Sequence, residues 1–157
     1  MPAVAHAVPG AHLFVGGTGP LRSELEARVR SLGLERHVTF LGYVSDEQLP
    51  IVYRAAEINV LPTVALEGFG LTAAEALAVG TPSMVTPIGA LPEVVSPLSP
   101  ALLFASASPA DIAAGLTAAL SGATPLPGAE ACRAYARAHF AADLMARRVA
   151  AVYREVC

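Results

Sequence analysis

Short apolar runs alternate along this chain with longer amphipathic ones. Residues 12–16 read as a strand, His12-Leu13-Phe14-Val15-Gly16, that runs into the glycine cluster Gly16-Gly17-Thr18-Gly19-Pro20. The spacing of Leu21, Leu25, Arg28, Val29 and Leu32 predicts a helix over 21–32 with one apolar face. Pro20 suits the first turn of that helix, and Gly33 suits its C-terminal cap. A second strand is predicted over 37–41, closed by Gly42. Ser45-Asp46-Glu47-Gln48 has capping-box form and opens a helix through about residue 56, with Pro50 in an early turn.

The alternation continues to the end of the chain. A third strand is predicted over 58–61, a helix over 71–79 ending at Gly80, a fourth strand over 82–86 and a fifth over 101–104. Ser108 and Pro109 open another helix, one as the cap and the other at the first helical position. Residues 122–128 are a Pro/Gly-rich break, and residues 129–157 form a helical tail. Strands alternating with helices of this length predict an α/β fold: a Rossmann-like, doubly wound parallel sheet in a three-layer αβα arrangement. In such sheets ligands bind outside the carboxyl ends of the strands. The loops after Val15, Leu41, Leu61 and Val85 are therefore the ones to inspect.

Composition narrows the picture. The chain has 157 residues, 54% of them hydrophobic and 15% charged, which suits a single folded domain with a real core. No apolar run approaches the ~20 residues needed to span a bilayer. The start, Met1-Pro2-Ala3-Val4-Ala5-His6, lacks the basic region of a signal peptide, so a cytoplasmic location is expected. Net charge is −3 with no basic patch, which argues against nucleic acid as a partner. Cys132 and Cys157 match no metal-ligand spacing and read as free thiols. The four histidines show no paired spacing either, and no metal is expected.

The loop after Leu61 carries the chemistry. It reads Glu67-Gly68-Phe69-Gly70-Leu71-Thr72 and then enters a helix. Two glycines let the backbone approach a ligand closely, and the helix start beyond them offers unpaired N–H groups and a positive dipole end. That combination suits a diphosphate. Glu67 precedes the glycines and Glu75 follows one turn into the helix. Carboxylates there would repel a bare phosphate, but they suit hydroxyls on either side of one. Thr72-Ala73-Ala74-Glu75 equally fits a capping box, in which Glu75 only closes the helix start.

Glu67 and Glu75, with seven residues between them, resemble the E-x7-E signature of the retaining GT-B glycosyltransferases (family 4-like, glycosyl transferases group 1). The resemblance covers nearly the whole chain. Phe14-Val15-Gly16-Gly17-Thr18-Gly19-Pro20 is similar to that family's VGxGP, and Val38-Thr39-Phe40-Leu41-Gly42-Tyr43-Val44 to its VxFLGxV. Ile58-Asn59-Val60-Leu61-Pro62 resembles its VLPS strand end, and Ala78-Val79-Gly80-Thr81-Pro82 its AxGxP. The order of the motifs favours the ligand reading for both glutamates.

The resemblance implies that residues 1–157 are the C-terminal, nucleotide-sugar-binding domain of a two-domain enzyme. That enzyme would move a sugar from a UDP- or GDP-linked donor to an acceptor hydroxyl, with retention and without a metal or other cofactor. Glu67 would be catalytic and touch the donor sugar, and Glu75 would hold the ribose. Backbone around Gly68, Phe69, Gly70, Leu71 and Thr72 would receive the sugar and diphosphate. Tyr43 and Val44 would meet the base, with Gly17 and Gly19 beside it. Glu93, in a Gly89-Ala90-Leu91-Pro92-Glu93 turn one glycine short of the family's GGxPE, would brace the loop.

Two departures stand against full activity. The family's Arg and Lys that grip the diphosphate, on its first strand and the helix that follows, have no counterpart, and nor does that strand; Met1 to Gly10 resemble the end of that helix. The N-terminal acceptor domain, through which any membrane attachment would run, has none either. The chain alone is expected to be inactive. With the first strand lacking, the sheet is expected to be defective beside residues 12–16. Its halves would pair directly, or a strand from a second copy would fill the slot in a homo-oligomer, or the chain would be poorly stable. Residues 1–11 are too short and too rich in proline and alanine to fill it, since Pro2 and Pro9 cannot donate.

Other readings are a truncated or solitary nucleotide-binding or interaction module without catalysis, and a sugar-nucleotide epimerase-like domain. A nicotinamide enzyme fits poorly, because Gly17-Thr18-Gly19-Pro20-Leu21-Arg22 has Arg at the third glycine position and the second strand ends without an acid.

Overall fold

The computed structural model describes residues 1–156. Its elements, in chain order, are α1 (Pro2–Ala7), β1 (Leu13–Gly16), α2 (Arg22–Ser31), β2 (Val38–Gly42), α3 (Leu49–Ala55), β3 (Asn59–Leu61), α4 (Leu71–Val79), β4 (Ser83–Val85), α5 (Leu91–Val95), α6 (Pro109–Leu120), α7 (Ala129–Phe140) and α8 (Ala142–Val156), with a 3₁₀ turn at Pro100–Leu102. The fold is mixed α/β with parallel strands, as the alternation predicts. The chain divides into two compact units, one of residues 1–49 and 108–125, the other of residues 50–107 and 126–157.

In the first unit β1 and β2 pair in parallel, Leu13 opposite Val38 and Val15 opposite Phe40, with an irregularity at Gly16. The bend lets Gly17 N–H bond to Gly42 O at 2.7 Å, which draws the two strand ends together. Residues 1–10 make no strand; α1 forms there, packs against α6 and buries Val4. Ser108 caps α6 by accepting the Asp111 N–H at 3.1 Å. The helix opened by Ser45 starts later than expected. Gln48 reaches back to Ser45 N at 3.4 Å, half of the anticipated box, but regular helix begins only at Leu49.

The predicted apolar face of α2 is not buried. Leu21, Leu25 and Leu32 are all exposed.

In the second unit β3 and β4 pair in parallel, Val60 opposite Met84. Among the described residues the strands thus pair as two two-stranded sheets, where the sequence leads one to expect a single sheet. The predicted fifth strand is reduced to one bridge, Leu103 to Val85, because the 3₁₀ turn takes up the preceding residues. The core gathers Leu77, Met84, Val85, Leu91, Val94, Val95, Leu102 and Phe104. Helix α4 packs along α7 through small side chains, with Ala73 and Ala76 buried on one helix and Cys132 and Ala136 on the other. The tail is two helices, broken where Ala141 adopts an extended conformation. Cys132 is a free, buried thiol. The expectation for Cys157 lies outside the described residues.

Candidate functional site

Everything at the start of α4 follows from Gly70. Its φ of 87° is left-handed, and it serves as the N-cap. A Cβ there would also fall 2.5 Å from Leu91 Cδ2, so a side chain would be strained by the backbone and would displace Leu91. Gly70 O accepts from Ala73 N and Ala74 N at 3.0 and 3.2 Å. The N–H groups of Leu71 and Thr72, immediately before them, have no partner among the described residues.

Glu67 occupies the remaining amide. Its Oε1 accepts from Gly70 N at 2.9 Å, which places a carboxylate on the positive end of α4. Its Oε2 sees only Thr63 Oγ1 at 3.5 Å, too long to hold it firmly, so that oxygen is available to another donor. Leu66, just before it, is fully exposed and left-handed at φ 60°, a conformation that costs a non-glycine residue about 1–2 kcal/mol. The loop is pinned from below by Thr86, whose buried hydroxyl donates to Thr63 O at 2.5 Å. Phe69 anchors it from the side, edge-on to Phe140 with centroids 5.8 Å apart.

The capping-box alternative for Glu75 is not realised. Gly70 holds the cap position, which moves Thr72 to the second residue of α4 and Glu75 to the fifth. Glu75 is exposed, and its Oε2 accepts from the phenol of Tyr53 at 3.1 Å. Tyr53, on α3, is 9% exposed. Burial, then the hydrogen bond and the charge of Glu75, push its phenol well above the usual tyrosine range. No local spacing marks Tyr53, because the contact joins helices 22 residues apart.

The second unit therefore brings Glu67, Gly68, Phe69, Gly70, Leu71, Thr72 and Glu75 together at one helix start. Gly17, Gly19, Tyr43 and Val44 belong to the first unit, at the ends of β1 and β2. Tyr43 is exposed, and Val44 lies 3.7 Å from where a Cβ on Gly16 would stand. Glu93 sits exposed in the first turn of α5. A concavity of about 550 Å³ lies at the other end of α4, between Ala78, Val79, Arg54 and Arg133, and holds none of the expected site residues. His12 and His37 are committed to Thr39 Oγ1 and Ala11 O, both at 2.9 Å. Among the described residues no three His, Cys, Asp or Glu side chains converge, and no helix is long and apolar enough to cross a membrane.

Comparison with known proteins decides the family. Residues 1–139 match the family described as glycosyl transferases group 1. The chain belongs to that family. It is 48% identical over 91 residues to mannosylfructose-phosphate synthase of Agrobacterium fabrum, covering 54% of this chain and 20% of that protein. It is 35% identical over 153 residues to the lipopolysaccharide core mannosyltransferase LpsB of Rhizobium meliloti, covering 94% of this chain and 43% of that protein. The solved structure of sucrose-phosphate synthase from Thermosynechococcus elongatus superimposes with a TM-score of 0.82 at 28% identity, over 99% of this chain and 41% of that one. This family member thus spans less than half the length of each of these relatives.

Proposed function

We propose that this family member binds the nucleotide-sugar donor of a retaining glycosyltransferase, the whole protein moving the sugar to an acceptor hydroxyl. One observation carries the reading. At the start of α4 two free amides, Leu71 and Thr72, stand between a carboxylate with one uncommitted oxygen, Glu67, and a second exposed carboxylate, Glu75. The amides and the helix dipole receive the diphosphate and stabilise its charge as it leaves. They supply positive potential at the leaving group, and the reading assigns no metal. Glu67 Oε2 accepts from hydroxyls of the donor sugar, which makes Glu67 the catalytic residue of this set. Glu75 accepts from the ribose diol. For the base, the family resemblance points to main-chain groups of Tyr43 and Val44, with Gly17 and Gly19, all within the first unit.

Calorimetric titration with UDP and GDP tests the reading. Glu75→Ala should weaken whichever nucleotide binds, and should weaken its 2′-deoxy counterpart less. Equal affinities of wild type and Glu75→Ala for the ribonucleotide would remove the ribose assignment.

A further inference from the structure

Glu75 projects from an exposed position on α4, and a free glutamate side chain samples many rotamers. Any carboxylate that is to meet a diol in one geometry must first lose that freedom. Nothing on α4 supplies the restraint: the helix is capped by Gly70, and no α4 side chain bonds to Glu75 among the described residues. The restraint comes from α3. Tyr53 O–H donates to Glu75 Oε2 at 3.1 Å.

We infer that Tyr53 is a positioning residue, which fixes Glu75 so that one carboxylate oxygen is held and the other faces the ribose. Three features make Tyr53 suited to this. Its ring is buried, so it has few rotamers of its own. Its backbone is tied down as well, since the buried Thr81 hydroxyl donates to Tyr53 O at 2.7 Å. Its phenol stays protonated at neutral pH, so it acts only as donor toward a carboxylate. The bond occupies Oε2 and leaves Oε1 with both lone pairs to accept from a ligand hydroxyl. Specificity for a ribose over a deoxyribose would then depend on a residue that touches neither sugar.

This inference rests on the assignment of Glu75 to the ribose, and its test separates the two. UDP, GDP and their 2′-deoxy forms are titrated calorimetrically against wild type, Tyr53→Phe, Glu75→Ala and the double variant. Tyr53→Phe removes one oxygen and keeps the ring, and its fold is checked by circular dichroism. The expected result is a ribonucleotide affinity about three- to tenfold lower for Tyr53→Phe, as for the loss of one hydrogen bond. The deoxy form should change less, and the double variant should be no worse than Glu75→Ala alone. Should Tyr53→Phe melt earlier yet discriminate ribose from deoxyribose as wild type does, Tyr53 only joins α3 to α4 and the inference fails alone. Should Glu75→Ala keep full discrimination, or should wild type bind neither nucleotide, the assignment beneath it fails and this inference falls with it. If Tyr53→Phe does not fold, Thr81→Val, which frees the Tyr53 backbone, should reproduce a weaker form of the same loss. Unchanged discrimination in Thr81→Val would then overturn the inference.

Discussion

Gly89 lies against the main-chain carbonyl of Glu67, so close that a Cβ on Gly89 would overlap that oxygen. Gly89 is also left-handed, at φ 56°. The loop after β4 thus fixes the height of the loop after β3, and the backbone of Glu67 rests on a position that accepts no side chain.

Gly89→Ala should therefore both strain its own backbone and push Glu67 away from Gly70. The expected cost is about 1–3 kcal/mol of stability. Thermal unfolding reads the stability and nucleotide titration reads the site. An alanine variant with unchanged melting and binding would show that the two loops move together freely.

Glu67 has two separable tasks, and two substitutions separate them. Glu67→Gln retains an oxygen for the Gly70 N–H, so the start of α4 should keep its stability while contact with donor hydroxyls weakens. Glu67→Ala loses the acceptor for the Gly70 N–H as well and should cost a further ~0.5–1.5 kcal/mol. Chemical denaturation of the two variants, beside their affinities for a nucleotide sugar and for the bare nucleotide, gives both readings.

The buried phenol makes stability fall in alkali. Tyr53 ionises above its ordinary value of 10.0 in the folded chain, chiefly because it is buried and then because of Glu75. Below that value both states carry the proton and pH has no effect through this group. Above it the unfolded chain releases the proton first, so unfolding gains and stability drops as pH rises. Burial raises Tyr135 and the Cys132 thiol in the same sense, from 10.0 and 9.0. Tyr53→Phe should flatten the alkaline slope without abolishing it, as urea titrations across that range would show.

Cys132 should resist alkylation in the native chain. It is fully buried, its thiol is pushed up by burial, and its Sγ lies 3.6 Å from Pro127 O. The thiolate is the reactive form, and both effects suppress it. Mass spectrometry of the peptide carrying Cys132 after brief iodoacetamide treatment should find it unmodified until denaturant is added.

Much of this was legible in the residues, and the failures share a cause. The helix starts at Pro109 and Ala129, the parallel strands and the glutamate pair are written in local spacing. Spacing also offered Thr72 and Glu75 as a capping box, and there it misled. The left-handed Gly70 had taken the cap position, which a Thr-x-x-Glu pattern cannot reveal. Tyr53 was silent because its partner is on another helix. Leu21, Leu25 and Leu32 drew a correct helix but a wrong burial, since periodicity names a face and not what covers it. The short α5 has too few residues to show a period at all.

The seam between α4 and α7 has consequences for how this sequence can drift. Helices α4 and α7 pack together, with Ala73 and Ala76 buried on one and Cys132 and Ala136 on the other, and just past α4 a Cβ on Gly80 would stand 3.1 Å from Ala129 Cβ. At Gly80 an added carbon would already crowd Ala129. A larger residue on either helix would shift α4 as a rod, and its far end carries the two free amides. Substitutions at these positions should therefore arise in compensating pairs, one side shrinking as the other grows. Selection on nucleotide binding would then leave its mark as covariation between residues that no ligand touches.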